Sequence, residues 1–163
     1  MKNLKNIFKY LLSLTLIGGG LSINTTFAQS DDEFNDAEIA AIAVAANDID
    51  IKYAEIAKDR GRRRSIRKFA RTMISDHSAV IEQAVALVTE LKVTPQENDL
   101  SKKLKTDAQK TREKLKNVRR HSFDKAYIDN EVAYHKAVIN AVENVLIPDT
   151  ENAQLKDLLK AVL

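Results

Sequence analysis

Apolar residues recur at three- and four-residue steps along most of this chain. From about Asp32 to Lys58, Ile42, Ala45, Ile49, Tyr53 and Ile56 fall on one face, a spacing that predicts an amphipathic helix. Gly61 supplies its stop. A second stripe, from Ile66 and Phe69 through Met73, His77, Val80 and Ala84 to Leu91, predicts a helix from Ser65, a natural N-cap, to about Lys92. The break Thr94-Pro95-Gln96-Glu97-Asn98 follows. Between Asp99 and Arg120, Leu100, Leu104, Ala108 and Leu115 give only a thin apolar edge, which predicts an outer crossover helix. A third long stripe, carrying Ile128, Glu131, His135, Val138, Val142 and Val145, starts near Ser122 and ends before Pro148. Leu155, Leu158, Leu159 and Val162 predict a last helix over about Glu151 to Leu163.

Composition agrees with an all-α chain. Gly61 is the sole glycine after Gly20, and Pro95 and Pro148 are the only prolines. Ala, Leu, Glu, Lys and Gln favour helix throughout.

The first 28 residues have a different character. Lys2, Lys5 and Lys9 precede an apolar run from Tyr10 to Ile17, and Thr26-Phe27-Ala28 sets small residues at the two positions a signal peptidase reads. The run is shorter than the roughly 20 residues of a spanning helix. The pattern predicts a cleaved signal peptide over 1–28, a mature chain starting at Gln29, and a periplasmic or secreted protein with no stable membrane span. The chain has no cysteine, which excludes a lipid-anchored lipoprotein and a disulfide framework. One helical domain is expected over 29–163. The signal holds three of the 26 Lys and Arg and none of the 23 Asp and Glu, so the mature chain is balanced at 23 of each. Nothing in that balance calls for nucleic acid. Arg60, Arg62, Arg63 and Arg64 form a local basic knot that reads either as a solvated turn or as an anion site.

Two helices echo each other. His77-Ser78-Ala79-Val80-Ile81 matches His135-Lys136-Ala137-Val138-Ile139 at four of five positions. Chance in an Ala/Val-rich helical chain and an old helix-hairpin duplication both account for this.

Phe69-Ala70-Arg71-Thr72-Met73-Ile74-Ser75-Asp76-His77 resembles the F-A-x-x-M-x-x-D-H signature of a bacterial exported family known as domain of unknown function 4142. Phe123-Asp124-Lys125-Ala126-Tyr127-Ile128, with His135 after it, resembles the family's second signature. Asp36 to Ala40 and Ile49 to Ala57 fit its first helix, where Asp50 stands at a position that is often Glu. The likeness covers roughly Asp32 to Leu163. It implies a ferritin-like up-down four-helix bundle in the periplasm or outer envelope and no established activity; the apolar stripes add an extra crossover helix and a shortened last helix. Family members carry the last helix further, with another histidine, whereas this sequence stops at Leu163.

Two of the three histidines, His77 and His135, fall on apolar stripes of long helices. Glu131 lies one turn before His135, and Asp50 sits near the middle of the first helix. Packing these helices could bring Asp50, His77, Glu131 and His135 to one depth. That is the ligand mix of bundle-core iron or manganese sites, and imidazole also suits zinc and copper. A di-iron site would need Glu-x-x-His motifs, and the sequence has none. The other reading of the same histidines is structural: His77 bonded to Asp50, and His135 bonded to Asp124 or a backbone group, would lock helix register. His121 is expected at the surface, and Tyr53, Tyr127 and Tyr134 as packing residues with a polar tip. No nucleophile elbow and no glycine-rich phosphate loop is present.

A short last helix leaves apolar surface on its neighbours. Burial is worth roughly 25 cal/mol per Å², so the strip is expected to be covered by the Asp99–Arg120 helix, by a second copy of the chain, or by an envelope partner. The sequence therefore reads first as a non-enzymatic interaction or envelope stress-protection module. The alternative is a periplasmic metal-binding protein using Asp50, His77 and His135.

Overall fold

Asn35 starts the first helix. Its side chain accepts the Glu38 N–H at 3.0 Å while the Glu38 carboxylate accepts the Asn35 N–H at 3.2 Å, a reciprocal cap that satisfies two orphan donors. The computed structural model describes residues 33–163, so the expected signal peptide lies outside the described residues. Helix α1 (Asp36–Arg60) thus begins a turn later than its stripe suggested. It is buried on more than one face, because Ala40, Ala45, Ala46, Ala54 and Ala57 let neighbours approach closely beside Ile42 and Tyr53. Gly61 ends α1 with φ −54°, not in a left-handed conformation. What it provides is space: a Cβ there would lie 2.7 Å from the Ala57 carbonyl and 3.0 Å from Ile66 Cγ2.

Helix α2 (Arg64–Glu90) has Arg63, not Ser65, at its N-cap. The cap comes from elsewhere in the chain. Asp124 accepts the Arg62 and Arg63 N–H groups at 2.8 and 3.0 Å, placing a carboxylate at the positive end of α2. Helix α3 (Asp99–Asn117) is capped by Asn98 and Ser101. It packs on α1 through Leu104, Ala108, Thr111 and Leu115, so its thin edge covers part of the α1 surface. Of the basic knot, Arg62, Arg63 and Arg64 are exposed. Arg60 instead turns inward, donates to the carbonyls of Leu115, Lys116 and Val118 at the end of α3, and lies 4.9 Å from the Phe123 ring centre.

Helix α4 (Phe123–Ala141) runs on without a break into a π turn, Val142–Leu146, and a short helix α5 (Ile147–Asp149). The helical path therefore passes Pro148 instead of stopping before it. Proline has no N–H to donate, and a widened π turn just ahead of it already shifts the ladder. Helix α6 (Ala153–Ala161) follows, capped by Asn152.

Contacts at the helix ends fix the course of the chain. Gln96 N–H reaches the Ala37 carbonyl, so α2 ends beside the start of α1. Arg60 reaches the end of α3, so α3 returns in the direction of α1. Asp124 then starts α4 beside the α1–α2 turn, and Asp149 accepts from Phe34 N–H at 3.1 Å at the opposite end. Helices α2 and α4 consequently run the same way, with α3 as the return between them. Asp36 accepts the Glu151 and Asn152 N–H groups at 3.0 Å each, and α6 rests on α2 near Glu90. The chain is an all-helical bundle with no strand among the described residues. No described helix is long and apolar enough to cross a membrane.

Candidate metal centre

Asp50 sits on α1 with Tyr53 and Ile49 in the core and is fully buried. An isolated buried carboxylate is costly, so its neighbours decide what it is for. From α2, His77 brings Nε2 to 2.7 Å from Asp50 Oδ2. From α4, His135 brings Nε2 to 3.3 Å from the same oxygen. The two imidazole rings are 5.7 Å apart, centre to centre. One ligand atom from each of the three residues lies within 4.8 Å of the others. The histidines of the two echoed segments thus meet on one carboxylate oxygen.

The far side of each ring is fixed. His77 Nδ1 is 2.7 Å from Asn47 Oδ1. Asn47 spends its own amide on the Ala43 carbonyl at 2.9 Å, so Oδ1 can only accept and the proton is on His77 Nδ1. His135 Nδ1 is 2.9 Å from the Glu131 carbonyl, which likewise can only accept. In the neutral rings both Nε2 atoms therefore carry lone pairs. Two lone pairs so close to one carboxylate oxygen repel it unless positive charge stands among them. Neither Asp50 oxygen receives an aligned hydrogen bond. Burial pushes the Asp50 carboxyl up; with a proton on the facing nitrogen, His77, together with Glu131 and His135, outweighs this and holds it below its ordinary value.

Glu131 is buried on α4 but does not join the ligand cluster. Burial first, and then the charge of Asp50, push its carboxyl up to about 10. At neutral pH it is a protonated group next to an ionised Asp50, as two close carboxyls cannot both ionise. Asn130 approaches Glu131 Oε1 at 3.4 Å. Tyr127, also buried, is pushed well above its ordinary range by burial and by Glu131. Tyr134 donates to the Ala46 carbonyl at 2.9 Å, and its ring meets Tyr53 edge-on at 5.5 Å. The tyrosines are packing residues with polar tips. His121 is exposed.

Of the four residues singled out in the sequence, Asp50, His77 and His135 converge and Glu131 stands behind them. Asp124, the other carboxylate considered for His135, is at the far turn on the α2 cap. Sequence reasoning missed Asn47. The available signal was its place one turn before Asp50 on the same helix face. A separate cleft of about 360 Å³ lies between α1 and α3 beside Lys52, Lys105 and Arg112. There Lys52 pairs with Asp48 and Lys105 with Glu97.

No curated protein and no solved structure matched the chain. One family model did, and it spans residues 24–163, which include all the described helices and the three converging residues. The chain belongs to the family described as Domain of unknown function (DUF4142).

Proposed function

We propose that this protein is an exported helical bundle that binds one first-row transition-metal ion through Asp50, His77 and His135. The observation that carries the reading is the pair of Nδ1 hydrogen bonds, to Asn47 Oδ1 and to the Glu131 carbonyl. They leave both Nε2 lone pairs free beside a buried carboxylate oxygen. Metal-binding histidines characteristically donate their second nitrogen to such acceptors. Two ligands about 2.0–2.1 Å from a tetrahedral ion are about 3.3 Å apart. The His135–Asp50 separation of 3.3 Å matches that span. The His77–Asp50 contact of 2.7 Å would open by roughly half an ångström around the ion. Two imidazoles and one carboxylate suit iron, manganese, zinc or copper. The missing Glu-x-x-His motifs argue for one ion rather than two.

Purification without chelator, followed by elemental analysis, tests this. One metal per chain is expected, and Asp50→Asn or His77→Ala combined with His135→Ala abolishes it. Equal metal content in the double variant would sink the reading and leave a register-locking histidine–aspartate cluster. Export rests on the pattern of residues 1–28, and Gln29 is the expected first residue of the exported chain. N-terminal sequencing of the periplasmic fraction checks it; a chain still starting at Met1 would count against it.

A further inference from the structure

The ligands of the proposed centre are unevenly covered. The Asp50 side chain is 1% exposed, whereas those of His77 and His135 are 22% and 37% exposed. The imidazoles therefore form the outer wall of the cluster, on the side where α2 and α4 face solvent. Val132 and Ile139, 50% and 39% exposed, stand one turn before and one turn after His135 on the same face of α4. Helix α6 meets α2 near Glu90, roughly 20 Å along α2 from His77.

Three protein atoms converge among the described residues. The next carboxyl, Glu131, is enclosed in the core and outside the cluster. A transition metal with only three protein ligands keeps at least one further position, the arrangement of reactive rather than purely structural sites. We propose that this position opens between α2 and α4 and takes a small exogenous anion directly on the metal. The inference rests on the metal reading above. One carboxylate and two neutral imidazoles leave a divalent ion with net positive charge, which attracts an anion strongly in a half-buried setting. Val132 and Ile139 offer the anion no side-chain donor, and the metal is what attracts it.

Cobalt(II) provides the probe, since its visible bands report coordination. The full chain is loaded with one equivalent of cobalt, titrated with sodium azide, and checked for retained cobalt by gel filtration. The expected result is a saturable shift of the bands at one azide per cobalt, with cobalt still bound, in both the parent chain and Glu131→Gln. Cobalt held one per chain with bands that azide does not move would overturn the open position and leave the metal reading standing. A response seen only in Glu131→Gln would overturn it too, because Glu131 would then have closed the sphere. Loss of cobalt as azide is added would show displacement instead of ligation and would also defeat it. Failure to hold cobalt at all would remove both this inference and the metal reading.

Discussion

His77 Nε2 stands 2.7 Å from Asp50 Oδ2, across the α1–α2 interface, the carboxylate buried and the imidazole partly exposed. His135 approaches the same oxygen from α4. One carboxylate oxygen thus ties three helices, whether the positive charge it needs comes from protons or from a metal. The groups that orient these three residues are where the arrangement can be tested without deleting a ligand.

Asn47→Ala removes the acceptor for His77 Nδ1 and frees the ring to rotate. Metal affinity is expected to fall about 10–100-fold, the usual effect of losing such a partner. Asn47→Asp keeps an acceptor and should retain most of it. Competition with a chromogenic chelator gives the numbers. Equal affinity in the parent and Asn47→Ala would mean the ring is held by packing alone.

Glu131 gives the apo chain a pH dependence of defined sign. Its carboxyl is raised from 4.5 to about 10 on folding. Between those values the folded chain keeps a proton that the unfolded chain has released, so stability falls as pH rises through this window. Asp50 acts in the opposite sense: its lowered carboxyl contributes above its ordinary value of 3.8 and that contribution is lost as pH falls. Glu131→Gln has no proton to lose and is expected to flatten the alkaline decline. Urea midpoints over a pH series decide it; parallel curves for parent and variant would refute the assignment.

Arg60 closes the open carbonyls at the end of α3 and covers the Phe123 ring. Arg60→Ala is expected to destabilise the chain by about 1.5–3 kcal/mol, the scale of hydrogen bonds made by a charged group. Arg60→Lys should recover less than half, because an ammonium cannot span three carbonyls as a planar guanidinium does. Chemical denaturation measures both. A cost below about 0.5 kcal/mol for the alanine variant would place Arg60 among ordinary surface residues.

Gly61→Ala tests the close approach at the α1–α2 turn. Its φ suits any residue, so backbone strain is absent, but the new methyl meets the Ala57 carbonyl at 2.7 Å. A loss of about 1–3 kcal/mol is expected from overpacking. Thermal unfolding reads it, and a neutral or stabilising result would show that the turn has room to yield.

The amino-acid sequence by itself determined the helical class, the existence and approximate extent of five helices, and the residues worth watching. Those features are local. A 3.6-residue apolar period and breaks at Gly61 and Pro95 act within a few residues of themselves. Asp50, His77 and His135 stood out because polar groups on apolar stripes must find partners when buried.

Only the tertiary structure decided which groups became partners. Asp124 caps α2 from the start of α4, Arg60 caps α3 from the end of α1, and both Nε2 atoms select one oxygen of Asp50. Sequence periodicity says which face a residue occupies but not the rotation and axial offset between packed helices. A slip of one turn, about 5.4 Å, would part every one of these contacts. The same limit hid the role of Asn47 and the inward turn of Arg60, since each depends on where a distant chain segment ends.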